Sequence, residues 1–246
     1  MESERTQSTK RTAESAELAA AREVARTLDP TLTEEAALAL LKQRDLSAET
    51  LDFLRKNERA MKSRKVRLAL ASHPHCPRRI SLRLIREFYT FDLMRFTLSP
   101  GVAADLKRTA DELLISRLPS ISLGERTSLA RRASASVAAA LLLDREARVW
   151  KPALENPRLT EAFVVRALLR PNISAELVRA VCHHDKWSVR PEIRVALLRN
   201  QKTPLARALE FARALAPRQL RDVLHSSQLP EKMKSYLRQE LQSRSQ

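Results

Sequence analysis

Sliding the sequence against itself by 127 positions aligns residues 29–114 with 156–241 without a gap, and 18 of those 86 positions are identical. Val66-Arg67-Leu68-Ala69-Leu70 falls under Ile193-Arg194-Val195-Ala196-Leu197, Pro77 under Pro204, and Leu82, Arg86 and Leu93 under Leu209, Arg213 and Leu220. Pro30 to Glu34 falls under Pro157 to Glu161, and Ser47-Ala48-Glu49 under Ser174-Ala175-Glu176. A self-match at one fixed period marks a repeat architecture. The expected organisation is a tail and helix over 1–28, one continuous stack over 29–241 and a C-terminal tail over 242–246. Within the stack lie a first copy (29–114), a connecting helix pair (115–155) and a second copy (156–241). The period suggests three helix pairs of about 42 residues each.

Composition says which element repeats. Ala, Leu, Arg and Glu favour helices, aromatics make up only 4% of the 246 residues, and 43% of the chain is hydrophobic, enough for a continuous core. The expected fold is all-α, an α-solenoid of antiparallel helix pairs. A polar tail over 1–11 precedes a helix expected from Thr12 to about Leu28. Thr33 and Ser47 are placed to cap new helices, and Leu38, Leu41, Leu51 and Leu54 fall at the spacing of one buried stripe. Pro74 and Pro77 force a turn, after which Leu82, Ile85 and Phe88 or Tyr89 are expected to face the core. Leu70, Leu197 and Leu209 are expected to be buried as well. A helix over about 103–114, a break at Pro119 and a capping box at Ser122 to Glu125 complete the first half.

Three segments share one pattern: Val66-Arg67 before His73-Pro74 and Pro77, Val149-Trp150 before Asn156-Pro157 and Thr160, and Ile193-Arg194 before Asn200 and Thr203-Pro204. They resemble the leucine-rich-repeat-variant motif and, more broadly, HEAT repeats, with Trp150 in place of the arginine and Gln201 in place of a proline. The resemblance implies a curved binding surface. A few members of that superfamily are DNA glycosylases, for which Trp187 beside Asp185, with Trp150, would be the local candidates; the alternative is that both tryptophans fill repeat interfaces.

The formal charge is +16. The first copy carries 16 basic residues against 12 acidic, and the second 16 against 8. Arg55 to Arg95 holds twelve basic against three acidic, and the matching window 182–222 nine against four. Fields of that size attract anions. The expected contacts are Lys62, Arg64, Lys65, Arg67, Arg79, Arg83 and Arg86 in the first copy, and Lys186, Arg190, Arg194, Arg199, Lys202 and Arg213 in the second. Arg79 and Arg83 fall opposite Ala206 and Glu210, so the stripe is not copied faithfully. The expected partner is nucleic acid, DNA or structured RNA, bound through its phosphate backbone by a non-enzymatic scaffold. An acidic protein is the alternative.

No phosphate loop or nucleophile motif is present, so no catalytic residue or cofactor is assigned. His73, His75 and Cys76, and the run Cys182 to Asp185, gather ligand types without an established zinc spacing, and no metal is expected. Cys76 and Cys182 are expected as free thiols. Pairs Asp144 with Arg148 and Asp185 with Arg190 are expected to stitch neighbouring repeats. No apolar run approaches the roughly 20 residues a membrane span needs, and the chain is expected to be cytoplasmic.

Overall fold

Short helices, most of which begin 12 to 16 residues after the one before, set the architecture. The computed structural model describes residues 24, 25, 27, 29–227 and 229–244. The expected tail and most of the expected helix from Thr12 lie outside the described residues; Val24, Ala25 and Thr27 are helical. Sixteen α-helices and no strand lie between Glu34 and Ser243 among the described residues. The chain divides into two compact units, with the boundary between Arg117 and Leu118.

The first unit contains α1 (Glu34–Leu40), α2 (Ala48–Lys56), α3 (Glu58–Lys62), α4 (Arg64–Ser72), α5 (Arg78–Glu87), α6 (Thr90–Leu98) and α7 (Ala104–Arg117). Helix α1 packs on α4 and α4 on α6, while α5 packs on α7, so with the five-residue α3 set aside helices two steps apart stand side by side in two rows. Leu51, Leu54, Val66, Leu70, Ile85, Leu93, Phe96 and Leu114 are wholly buried between them.

The second unit opens with a 3-10 turn, Leu118–Ser120, and contains α8 (Leu123–Arg132), α9 (Ala135–Leu141), α10 (Ala147–Leu154), α11 (Glu161–Leu168), α12 (Ala175–Cys182), α13 (Pro191–Leu198), α14 (Leu205–Ala214), α15 (Pro217–Ser226) and α16 (Glu231–Ser243). The same rule holds here, with α8 on α10, α9 on α11, α11 on α13 and α14 on α16. Ser122 opens α8 with a full capping box: its hydroxyl accepts from Glu125 N at 3.3 Å, and its own amide donates to Glu125 Oε2 at 3.0 Å. The Ser122 hydroxyl and then its amide hold the Glu125 carboxyl below its usual pKa. Pro152 inside α10 cannot donate to the carbonyl of Arg148, and the Thr127 hydroxyl of α8 approaches that oxygen at 3.4 Å.

Helix positions recur at the sequence period. Helices α1, α2, α4, α5, α6 and α7 begin at residues 34, 48, 64, 78, 90 and 104, and α11 to α16 begin 127 residues later in every case. Only α3 lacks a helical counterpart, because residues 185–189 form turns.

Several expectations need correction. Two successive helices take 16 to 33 residues from start to start rather than 42, because most helices have only seven to ten residues and serine caps at 47, 63, 134 and 174 restart the chain early. Three helices, not a pair, fill 115–155, and α16 continues into the expected C-terminal tail. Leu82 and Leu209 are only half-buried, as is Leu38; the core positions are Ile80, Leu84 and Ile85 in α5 and Ala208, Phe211 and Ala212 in α14. Phe88 is buried, but its neighbour Tyr89 is 61% exposed.

Helices this short leave about half of their carbonyls without an intrahelical donor. Side chains from the turn one helix pair later supply many of them. Asn57 Nδ2 donates to Thr27 O (2.9 Å) and Asp29 O (2.8 Å), Asn156 Nδ2 to Ala130 O (2.8 Å) and Ala133 O (3.3 Å), and Asn200 Nδ2 to Leu168 O (2.7 Å). Arg117 clasps Phe88 O and Arg86 O at 2.6 and 3.0 Å, and Arg244, 127 residues on, clasps Ala212 O and Leu215 O at 3.0 and 2.9 Å. A cation at a helix C-terminus also opposes the negative end of the dipole. Part of the basic surplus is therefore architectural.

Candidate polyanion-binding surface

In the first unit, Lys62 closes α3, Arg64, Lys65 and Arg67 lie in the first turn of α4, and Arg79, Arg83 and Arg86 are exposed along α5. Most of them have acidic neighbours. Arg79 Nη2 meets Asp52 at 3.1 Å and Lys65 Nζ meets Glu34 at 2.9 Å. Hydrogen bonds from Lys65 and then Ser63 hold the Glu34 carboxyl below its usual pKa. Glu87 lies 4.0 Å from Arg67 Nη1 and 3.9 Å from Arg83 Nε, so one carboxylate draws the α4 and α5 sets together. Arg64 is held by Asp92 Oδ2 through Nε at 3.0 Å and Nη2 at 2.7 Å. Lys62 and Arg86 have no carboxylate within 4 Å among the described residues.

In the second unit, Lys186 lies in the turn before α13, Arg190 is the residue before its first turn, Arg194 is within it, Arg199 closes it, Lys202 is in the next turn and Arg213 is on α14. Arg190 pairs with Glu161 at 2.9 Å and Arg213 with Glu240 at 3.2 Å. Arg194 Nε donates to Ser188 O at 2.8 Å and Lys202 Nζ to Ile173 O at 2.6 Å. The expected stitches are different ones: Asp144, in the turn after α9, meets Arg126 of α8 at 3.4 Å rather than Arg148, and Arg190 takes Glu161 of α11, two helices back from α13, in place of Asp185. Exposed pairs of this kind contribute only about 0–1 kcal/mol each, so an incoming phosphate can exchange for the carboxylate.

The turns after α11 and α13 enclose a cleft of about 210 Å³ lined by Arg170, Pro171, Ile173, Arg199, Asn200, Gln201 and Lys202, with no acidic residue among them. Asn200 braces both walls, donating to Leu168 O and accepting from Lys202 N at 2.9 Å. The Lys202 ammonium spends one donor on Ile173 O and keeps two. Three cations around a small braced cleft suit a tetrahedral oxyanion, for which an arginine fork is well matched. Arg170 belongs to neither basic window of the sequence, whereas Arg199 and Lys202 were legible there.

The ligand-type clusters are occupied by the fold. His73 Nδ1 accepts from His75 N at 3.2 Å, so its Nε2 carries the proton and donates to Gln43 O at 2.8 Å; His75 Nδ1 meets Leu46 O at 3.1 Å. No group of three His, Cys, Asp or Glu comes together among the described residues. Burial pushes the Cys182 thiol up to about 11 and also raises Cys76. Trp150 and Trp187 are buried, and Trp187 Nε1 donates to Leu154 O at 2.9 Å. A second concavity of about 500 Å³ on α8, α10 and α12 has a Trp150 and Leu154 floor, and His184 Nε2 stands 3.0 Å from Glu155 on its rim. No described helix is long and apolar enough to cross a membrane. Comparison with protein families, curated proteins and solved structures finds no match.

Proposed function

We propose that the protein is a non-enzymatic helical scaffold that contacts the phosphate backbone of nucleic acid. In this reading each unit is a stretch of α-solenoid related to the leucine-rich-repeat-variant and HEAT families. Residues 29–114 and 156–241 are copies of one ancestral stretch, as the helix starts repeated at 127 support. Its helix pairs are shorter than the roughly 40–47 residues of a HEAT unit.

The cleft of Arg170, Arg199 and Lys202 carries the functional reading, because it concentrates positive charge on a braced surface with no competing carboxylate in its lining. Lys62, Arg86 and Lys186, which have no carboxylate within 4 Å among the described residues, add to the field. Binding is then largely independent of sequence and falls with salt at a log–log slope near −0.9 per phosphate neutralised. The test is a titration of duplex DNA and structured RNA across ionic strength. Arg170→Ser with Arg199→Ser is expected to make the slope shallower by about two units. No affinity for either nucleic acid at about 50 mM salt overturns the proposal and leaves an acidic protein as the partner.

A further inference from the structure

We infer that Tyr89 is a stacking position for an unpaired nucleobase, and this inference rests on the nucleic-acid reading above. Tyr89 is 61% exposed, yet its backbone is anchored between α5 and α6 beside buried Phe88, whose ring meets Phe96 at 5.9 Å. The Arg64 guanidinium stands 4.4 Å from the Tyr89 ring centroid. Both its Nε and its Nη2 are tied to Asp92 Oδ2, and the Asp92 carboxylate is itself 9% exposed. The Asp92 carboxylate thus holds the guanidinium over the ring, and the exposed part of the ring meets solvent.

An isolated exposed tyrosine needs no explanation. This one has a guanidinium held against it and, two residues from Arg64 and three from Tyr89 along the chain, the cations Lys62 and Arg86, which have no carboxylate within 4 Å among the described residues. Unpaired bases stack on tyrosine rings and arginine planes while nearby cations take the phosphates. Bases inside a duplex are already stacked and do not reach such a ring. The site therefore takes single strands, loops or bulges, and adds a preference for unpaired nucleic acid to the backbone contacts.

The experiment measures anisotropy of a short labelled single-stranded oligonucleotide and of its duplex against wild type, Tyr89→Ala and Tyr89→Phe. Tyr89→Ala is expected to weaken single-strand binding by about 5- to 100-fold with an unchanged salt slope and unchanged duplex affinity. Tyr89→Phe, which keeps the ring, retains wild-type affinity. Single-strand affinity unaffected by Tyr89→Ala, or duplex affinity lowered equally, overturns the stacking site. If wild type still binds with a steep salt slope in that case, the backbone reading stands; if wild type binds neither probe, both fail.

Discussion

Replacing Asn156 tests the carbonyl clasps most directly, because its side chain is wholly buried and serves three backbone groups at once. Its amide nitrogen donates to Ala130 O at 2.8 Å and Ala133 O at 3.3 Å, and its oxygen accepts from Arg158 N at 2.8 Å. Asn156→Ala strands two carbonyls on residues that are themselves fully buried, at about 1–3 kcal/mol for each unsatisfied group. The Arg158 amide belongs to an exposed residue and regains water, so the total is about 2–6 kcal/mol. Asn156→Asp keeps the shape but turns an acceptor toward both carbonyls, and a buried charge without its donor costs about 3–5 kcal/mol. Burial raises the introduced carboxyl above its unfolded value of about 3.9, so the unfolded state releases its proton first and stability falls as pH rises above that value. Urea unfolding followed by far-ultraviolet circular dichroism at about pH 4 and pH 7 measures both effects. The clasp argument is refuted if Asn156→Ala costs under about 0.5 kcal/mol, the scale of surface substitutions, or if the gap between the two variants ignores pH.

Phe211→Ala is expected to cost about 3–5 kcal/mol and Leu209→Ala about 1 kcal/mol, since only Phe211 is fully enclosed; equal losses in chemical denaturation would mean α14 presents another face. Arg117→Met and Arg244→Met each remove two bonds to helix-end carbonyls and are expected to cost about 1–3 kcal/mol, read as a lowered Tm. The Cys182 thiol is expected to resist alkylation in the folded protein at pH 8 and to react quickly in urea, a contrast that mass spectrometry resolves. Because its folded pKa is raised from 9.0 to about 11, its stabilising contribution is whole below 9.0 and is lost as pH climbs toward about 11.

The repeat and its helix starts are legible in the sequence because Pro77 and Pro204, and Ser47 and Ser174, are local signals that act where they stand. The buried faces of α5 and α14 are less so. A helix flanked by its own row and the opposite row buries a wide arc, so Ile80, Leu84 and Phe88 compete with Leu82 at nearly the same spacing. Exposure of Tyr89 beside buried Phe88 turns on one residue of offset at a helix junction. Charge could be counted along the chain but not apportioned. Glu34 lies 31 residues from Lys65 and Asp52 lies 27 from Arg79, on helices that meet only after the rows assemble. Arg170 stands apart from the basic runs and joins Arg199 only across two turns.

The clasps from Asn57, Asn156, Asn200, Arg117 and Arg244 all join groups 23 to 32 residues apart. On a ribosome adding about 5–20 residues per second, each helix end therefore waits only a few seconds for the side chain that closes it. Every closure spans nearly the same contour, so none is much slower than the last. Structure can advance from N- to C-terminus at a constant lag, and a stalled nascent chain is left with a frontier of about one helix pair whose carbonyls are still bare.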